Sequence, residues 1–302
     1  QNNGTACHHG GPVGFNQFTW DVVESSPSSA TLRFTSPDMD QGFPGRLTTT
    51  VEYSLLPVGN SAAALSVRFT AETDKTTVVN LTNHAYWNLA GVSSSSGDKC
   101  PLPEKMLDHM VSIAADTFVP TDDINIPLGE FRDVEGTPFD FRELTRIGQR
   151  IEEDDEQLKI AAGYDHNYAL RELPTRNSCG GTRALGISCT EGGQWVRDRP
   201  ADAVAKDIIS GRTLEVYTEE PCVHFYTGNY LGNEPPGKGG MPIARRAGFC
   251  FETQHFTDSP NQAGFPSVKL EPGQTWKTET IFWMPDPNRV DSWKGKSWCG
   301  CM

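Results

Sequence analysis

Apolar and polar residues alternate with a period of two along much of this chain. Leu65, Val67, Phe69 and Ala71 are interleaved with Ser66, Arg68, Thr70 and Glu72, which places one set on each face of a half-buried strand. Runs rich in Thr, Val, Tyr, Phe and Trp at 31–36, 47–55, 77–82, 213–218, 266–270 and 276–283 predict further strands. Helical periodicity is confined to 143–158, ELTRIGQRIEEDDEQL, where acidic residues crowd the end. Pro, Gly, Ser and Asp break the pattern at 56–61, 92–103, 120–129 and 257–275, as turns and loops do. Many short strands and one helix predict an all-β protein, a large antiparallel β-sandwich of two sheets stacked face to face. The 302 residues fit one large β domain spanning 1–302. Residues 92–103 and 174–200, rich in Gly, Ser and Pro, read as loop insertions, and 285–302 as an irregular tail.

Charge narrows the partners. With 26 Lys and Arg against 39 Asp and Glu, the formal charge is −13, the wrong sign for nucleic acid or an anionic membrane surface. No apolar run approaches the roughly 18 residues of a membrane span. A small neutral or cationic ligand fits better. The 8 cysteines are too sparse for a disulfide scaffold and lack CxxC spacing. They leave the compartment open between cytoplasmic and secreted, and the triplets Asn3-Gly-Thr5 and Asn80-Leu-Thr82 read as glycosylation sites only in the second case. Cys7, His8 and His9 could form a metal site only with Cys299 and Cys301, and nothing in the sequence joins the two ends. No metal is expected.

Several segments put polar groups inside apolar runs, which is where functional sites concentrate. In VVNLTNHAYWNLAG, Asn83 and His84 precede Tyr86 and Trp87, whose rings could wall a pocket for a sugar; a lone His there is more often a buried one bonded to backbone. In AAGYDHNYAL, Asp165 and His166 lie between Tyr164 and Tyr168, where the plain alternative is a turn Asp with a solvent-facing His. In GFCFETQHF, Glu252 follows Phe249, Cys250 and Phe251; a carboxylate there is either paired structurally or held at raised pKa as a base.

Taken in order, CHHGGPVGFNQFTW, LTNHAYWNLAG, IAADTFVPTDDINIPLGE, VEGTPFDFR, AGYDHN, LEVYTEEPCVHFYTGNYL and AGFCFETQHFTDSPNQAGFPSVKLEPGQTW closely resemble the aldose 1-epimerase (galactose mutarotase) family. The resemblance runs from about Cys7 to about Trp283, interrupted by the two insertions. It implies a large antiparallel β-sandwich with a sugar cleft on one sheet. It also implies that Glu252 is the general base and His84 the general acid, that Asp165 and His9 bind sugar hydroxyls, and that Asn83 and His224 belong to the substrate site. Interconverting α and β anomers of a free hexose such as galactose or glucose requires removing the C1 hydroxyl proton while protonating the ring oxygen. That chemistry requires no metal or organic cofactor.

Three departures from the family pattern bear on this. The family's substrate-binding Arg lies upstream of the HGG segment and this chain starts after that point, so the N-terminal strands are expected to be supplied by another polypeptide, cleaved or missing. His224 stands in VHFYTGN where many members carry Gln; neutral His can likewise donate and accept. His8 replaces an apolar residue and is expected to be exposed. The alternative function is a noncatalytic carbohydrate-binding or assembly protein on the same fold, but such a protein has no need of an acid and a base together. A relative acting on hexose 6-phosphates would need a basic cluster that these motifs lack.

Overall fold

The structure, a computed structural model, describes residues 4, 6–58, 63–91, 106–171, 187–189, 195–197, 199–237 and 240–285. Two antiparallel sheets carry the architecture. The larger contains β1 (Asp21–Ser25), β2 (Ser29–Ser36), β3 (Leu47–Leu56), β4 (Ala63–Thr73), β6 (Met110–Ile113), β9 (Thr145–Arg146), β13 (Ala203–Lys206), β14 (Thr213–Thr218) and β18 (Thr275–Met284). Their order is β1-β2-β3-β4-β18-β14-β13-β6-β9. The smaller contains β7 (Ala115–Val119), β8 (Arg132–Asp133), β10 (Asp165–Leu170), β15 (Cys222–Tyr226) and β16 (Cys250–Gln254), in the order β16-β15-β10-β7-β8.

The alternation seen in the sequence packs these sheets together. Val51, Val67, Val111, Ile113, Val216 and Phe282 from the larger sheet meet Phe118, Tyr168, Val223, Phe225 and Phe251 from the smaller in one buried core. Each of these side chains removes apolar area from water at about 25 cal/mol per Å². Phe225 lies among Tyr164, Phe141, Phe249 and Phe251, with ring centroids 5.5–6.4 Å apart, the spacing of edge-to-face and offset pairs. A buried hydroxyl chain also crosses between the sheets: Thr280 Oγ1 lies 2.8 Å from Thr218 Oγ1 and 2.6 Å from Thr253 Oγ1.

The strands predicted at 31–36, 47–55, 213–218 and 276–283 are present with ends extended by at most two residues, and the 65–71 alternation forms the middle of β4. Two shrink. Only β5 (Thr77–Val78) and β17 (Lys269–Leu270) survive from 77–82 and 266–270, and they pair with each other. Beyond Val78 the chain's polar groups dock elsewhere: Asn80 exchanges hydrogen bonds with the His255 backbone, and Thr82 donates to the Thr253 carbonyl.

The helix predicted over 143–158 does not form. Thr145–Arg146 pairs with β6, a 3₁₀ turn follows at Ile147–Gln149, and the α-helix of this region, α1, is only Glu156–Ala161. Ile147 and Ile151 are both buried, which reproduces a helical spacing without a helix. The acidic cluster marks a helix start instead of an end: Asp155 caps α1, accepting from the Gln157 and Leu158 amides, where the macrodipole favours negative charge. The insertion at 92–103 and the tail from 286 lie outside the described residues, as does most of 174–200. Within the latter, β11 (Ile187–Cys189) and β12 (Trp195–Arg197) form a separate hairpin, apart from both main sheets.

Candidate active site

The smaller sheet has a second face. Because side chains alternate along a strand, the inward positions His166, Tyr168, Val223, Phe225, Phe251 and Thr253 leave Asp165, His224, Tyr226, Cys250 and Glu252 on the outer face. Register brings these together: Asp165 pairs with Tyr226, Tyr226 with Cys250, and His224 with Glu252. Residues 80–91 run across this face, tied down by reciprocal backbone hydrogen bonds between Trp87 and Phe249. His84 is thereby delivered above β16.

His84 Nε2 lies 3.7 Å from Glu252 Oε1, and His84 Nδ1 lies 3.4 Å from Cys250 Sγ. The Glu252 side chain is 8% exposed. Desolvation raises its pKa above the ordinary glutamate value, helped by the nearby Asp165 charge and opposed by His224 and His84. Across the ladder, His224 Nε2 donates to Asp165 Oδ1 at 2.7 Å. Burial lowers the His224 pKa, but the Asp165 hydrogen bond and the charges of Asp165 and Glu252 together outweigh it, and the net direction is upward. His224 Nδ1 is buried and has no hydrogen-bond partner among the described residues.

The HHGG segment closes the other side. His9 has a left-handed backbone (φ 52), Gly11 donates its N–H to the His8 carbonyl, and this turn sets the His9 ring 5.5 Å from that of His84. Gly11 is required there: its φ is 108 and a Cβ would come within 2.9 Å of the Gln41 side chain. Desolvation first, then His8 and His84, push the His9 pKa down to about 4, so its ring is neutral near pH 7 and able to donate and accept at once. His8 is exposed, with its ring 3.7 Å from that of His9. Tyr86 stacks on His84 at 5.1 Å and remains 45% exposed, while Tyr226 stands edge-on to His84 at 6.2 Å.

His9, His84, Asp165, His224 and Glu252, drawn from five separate segments, therefore share one surface. Asn83, next to His84 in the chain, is engaged within the protein: its Oδ1 accepts from the Ala85 amide and its Nδ2 donates to the Tyr53 hydroxyl, which fixes the turn carrying His84. Trp87 is no pocket wall; it packs 5.2 Å from Phe282 against the core. Asp165 is in a strand, not a turn, and His166 is fully buried, not solvent-facing. His166 Nδ1 accepts the Asp165 amide and its Nε2 lies 3.2 Å from Gln157 Oε1, so it braces Asp165 from behind. Sequence reasoning passed over Cys250 as an apolar neighbour of Glu252, although the two-residue spacing already puts both on one face of β16.

Comparison with known proteins identifies the family and the fold. A family model described as aldose 1-epimerase matches residues 1–283. The chain is 36% identical to the galactose mutarotase of Bos taurus over 281 residues, covering 93% of this chain and 70% of that protein. It is 32% identical to the aldose 1-epimerase of Escherichia coli strain K12 over 276 residues, covering 91% and 69%. Among solved structures, an aldose epimerase homologue from C. elegans superposes with a TM-score of 0.72 at 26% identity, covering 94% of this chain and 74% of that one. A galactose 1-epimerase from Lactobacillus acidophilus NCFM superposes with a TM-score of 0.71 at 25% identity, covering 94% and 71%. This antiparallel β-sandwich, with its histidines and carboxylates gathered on the outer face of the smaller sheet, belongs to the aldose 1-epimerase family.

Proposed function

We propose that this protein is an aldose 1-epimerase, an isomerase that interconverts the α and β anomers of free hexoses, galactose and glucose among them. The observation that carries the reading is the pairing of Glu252 with His84 at 3.7 Å. The C1 hydroxyl and the ring oxygen share one carbon, so the base and the acid must be neighbours, and a carboxylate beside an imidazole supplies both.

Glu252 takes the proton of the C1 hydroxyl as C1=O forms and the bond from C1 to the ring oxygen breaks. His84, as imidazolium, gives its proton to that oxygen. The open-chain aldehyde turns about C1–C2, and closure on the other face reverses both transfers: the C5 hydroxyl gives its proton back to His84 as its oxygen bonds to C1, and Glu252 returns its proton to the C1 oxygen. A carboxyl raised by desolvation suits the base, because proton transfer is most effective when the catalyst's pKa approaches the working pH. Asp165, His224 and His9 hold sugar hydroxyls, and Tyr86 gives a ring face for the sugar's C–H groups. Asn83 acts through the turn that aims His84.

Polarimetry on freshly dissolved α-D-galactose and α-D-glucose, with spontaneous mutarotation subtracted, tests the proposal. Acceleration is expected with both. Sugar binding without acceleration would overturn it in favour of a noncatalytic binder.

A further inference from the structure

The Cys250 thiol is not used by the acid/base chemistry, yet it lies directly behind the His84 ring. One ring nitrogen of His84, the Cys250 sulfur and a Glu252 carboxylate oxygen all lie within 4.8 Å of one another. This is the one group of three or more metal-binding side chains so gathered among the described residues. Two of its members are fixed by the fold: Cys250 and Glu252 are two residues apart on one face of β16, and β16 is pinned by β15. The third, His84, is held by the Asn83 turn and is 33% exposed, so an ion can approach from solvent.

We propose that His84, Cys250 and Glu252 form an inhibitory binding site for Zn²⁺ or a similarly borderline-soft divalent cation. Zinc bonds of about 2.0–2.1 Å to nitrogen, 2.3 Å to sulfur and 2.0–2.2 Å to oxygen set tetrahedral ligands about 3.3–3.6 Å apart, so side-chain movements on the order of an ångström close the site. Three protein ligands leave the fourth position to water or a sugar hydroxyl. A thiolate, an imidazole and a carboxylate together select zinc over Mg²⁺ and Ca²⁺, which prefer all-oxygen shells. Binding breaks the Cys250 S–H bond, releases its proton to solvent and forms an S–metal bond. The ion also occupies the lone pairs that Glu252 and His84 need for proton transfer. Only this inhibitory consequence rests on the proposed epimerase activity; the binding itself does not.

Two readouts separate the two claims. Co²⁺ titrated into chelator-treated protein is expected to produce a near-ultraviolet thiolate-to-cobalt charge-transfer band. Cys250→Ser and Cys250→Ala, each first shown to be folded by circular dichroism, should abolish the band, and excess Zn²⁺ should displace it in the wild type. In polarimetry, saturating Zn²⁺ is expected to slow the wild-type rate at least tenfold, with recovery on adding EDTA and no effect of Mg²⁺. Each Cys250 variant, normalised to its own metal-free rate, should need at least tenfold more Zn²⁺ for half-inhibition. Absence of the cobalt band in the wild type, or its persistence in both variants, would overturn the site. A cobalt band in an active enzyme that Zn²⁺ does not slow would overturn the inhibition, and a band in a chain without mutarotase activity would leave the site standing while the function reading fell.

Discussion

His224 lies opposite Glu252 in the β15–β16 register while its Nε2 holds Asp165 at 2.7 Å from the other side. One imidazole thus couples a proposed sugar-binding carboxylate to the proposed base. With Asp165 removed, His224 would lose the partner that raises its pKa and would sit by Glu252 in a different charge state. Asp165→Ala is therefore expected to raise KM about tenfold or more and to lower kcat as well, since a charge-assisted hydrogen bond contributes about 1.5–3 kcal/mol in ground and transition states alike. His224→Gln keeps a donor for Asp165 and should cost less than His224→Ala. Initial-rate polarimetry on the three variants checks this; equal KM values for wild type and Asp165→Ala would remove Asp165 from the sugar site.

The base is tested more directly. Glu252→Gln keeps the shape and a hydrogen-bonding head but cannot take the C1 hydroxyl proton. The expected loss is about 10²–10⁴-fold in kcat, the usual contribution of general base catalysis, with KM moved much less. His84→Gln should fall in the same range. Combining them should cost less than the product of the two single losses, because either one alone already stops the concerted transfer. Unchanged kcat in Glu252→Gln would eliminate the mechanism.

Much of this was legible in the sequence because it depends on local alternation. The β4 pattern from Leu65 to Ala71, and the polar groups set into apolar runs at His84, Asp165 and Glu252, each report a side chain's face within its own strand. What could not be read depends on partners distant in sequence. Ile147 and Ile151 are apolar at helical spacing, but it is pairing with β6 and burial in the core that shape 145–151. His166 looks like a surface residue until α1 brings Gln157 against it. Cys250 is simply a small apolar residue until residues 80–91 cross β16 and place His84 on its sulfur.

The pH profile should carry the mark of desolvation. Catalysis needs Glu252 ionised and His84 protonated, so kcat/KM is bell-shaped in either direction. Burial raises the Glu252 pKa, and the rate is lost as pH falls through that raised value. The acid limb should therefore have its midpoint above the ordinary glutamate value of 4.5, measured in chelator-containing buffer. A midpoint at or below 4.5 would mean that the base is another, better-solvated group.

Stability against acid provides a last test, and it concerns His166. Its ring is fully buried, and desolvation, which outweighs the attraction of Asp165, pushes its pKa from 6.5 to about 3. The geometry explains why the neutral form is required: Nδ1 accepts the Asp165 amide while Nε2 faces Gln157 Oε1. A proton on Nδ1 would set a donor against a donor. The unfolded chain binds this proton near pH 6.5 and the folded one only near 3, so the stabilisation is fully present above 6.5 and is lost as pH falls across that window. In urea unfolding, the wild-type midpoint is expected to decline from pH 6.5 downward. His166→Asn, which has an amide able to accept from one neighbour and donate to another, should be less stable at pH 7 because it fills less of the core around Phe118 and Phe139. Its midpoint should, however, fall less steeply between pH 6.5 and pH 4, having no ring to protonate. Parallel wild-type and His166→Asn curves over that range would show that the acid sensitivity originates elsewhere and that the brace behind Asp165 tolerates a charged ring.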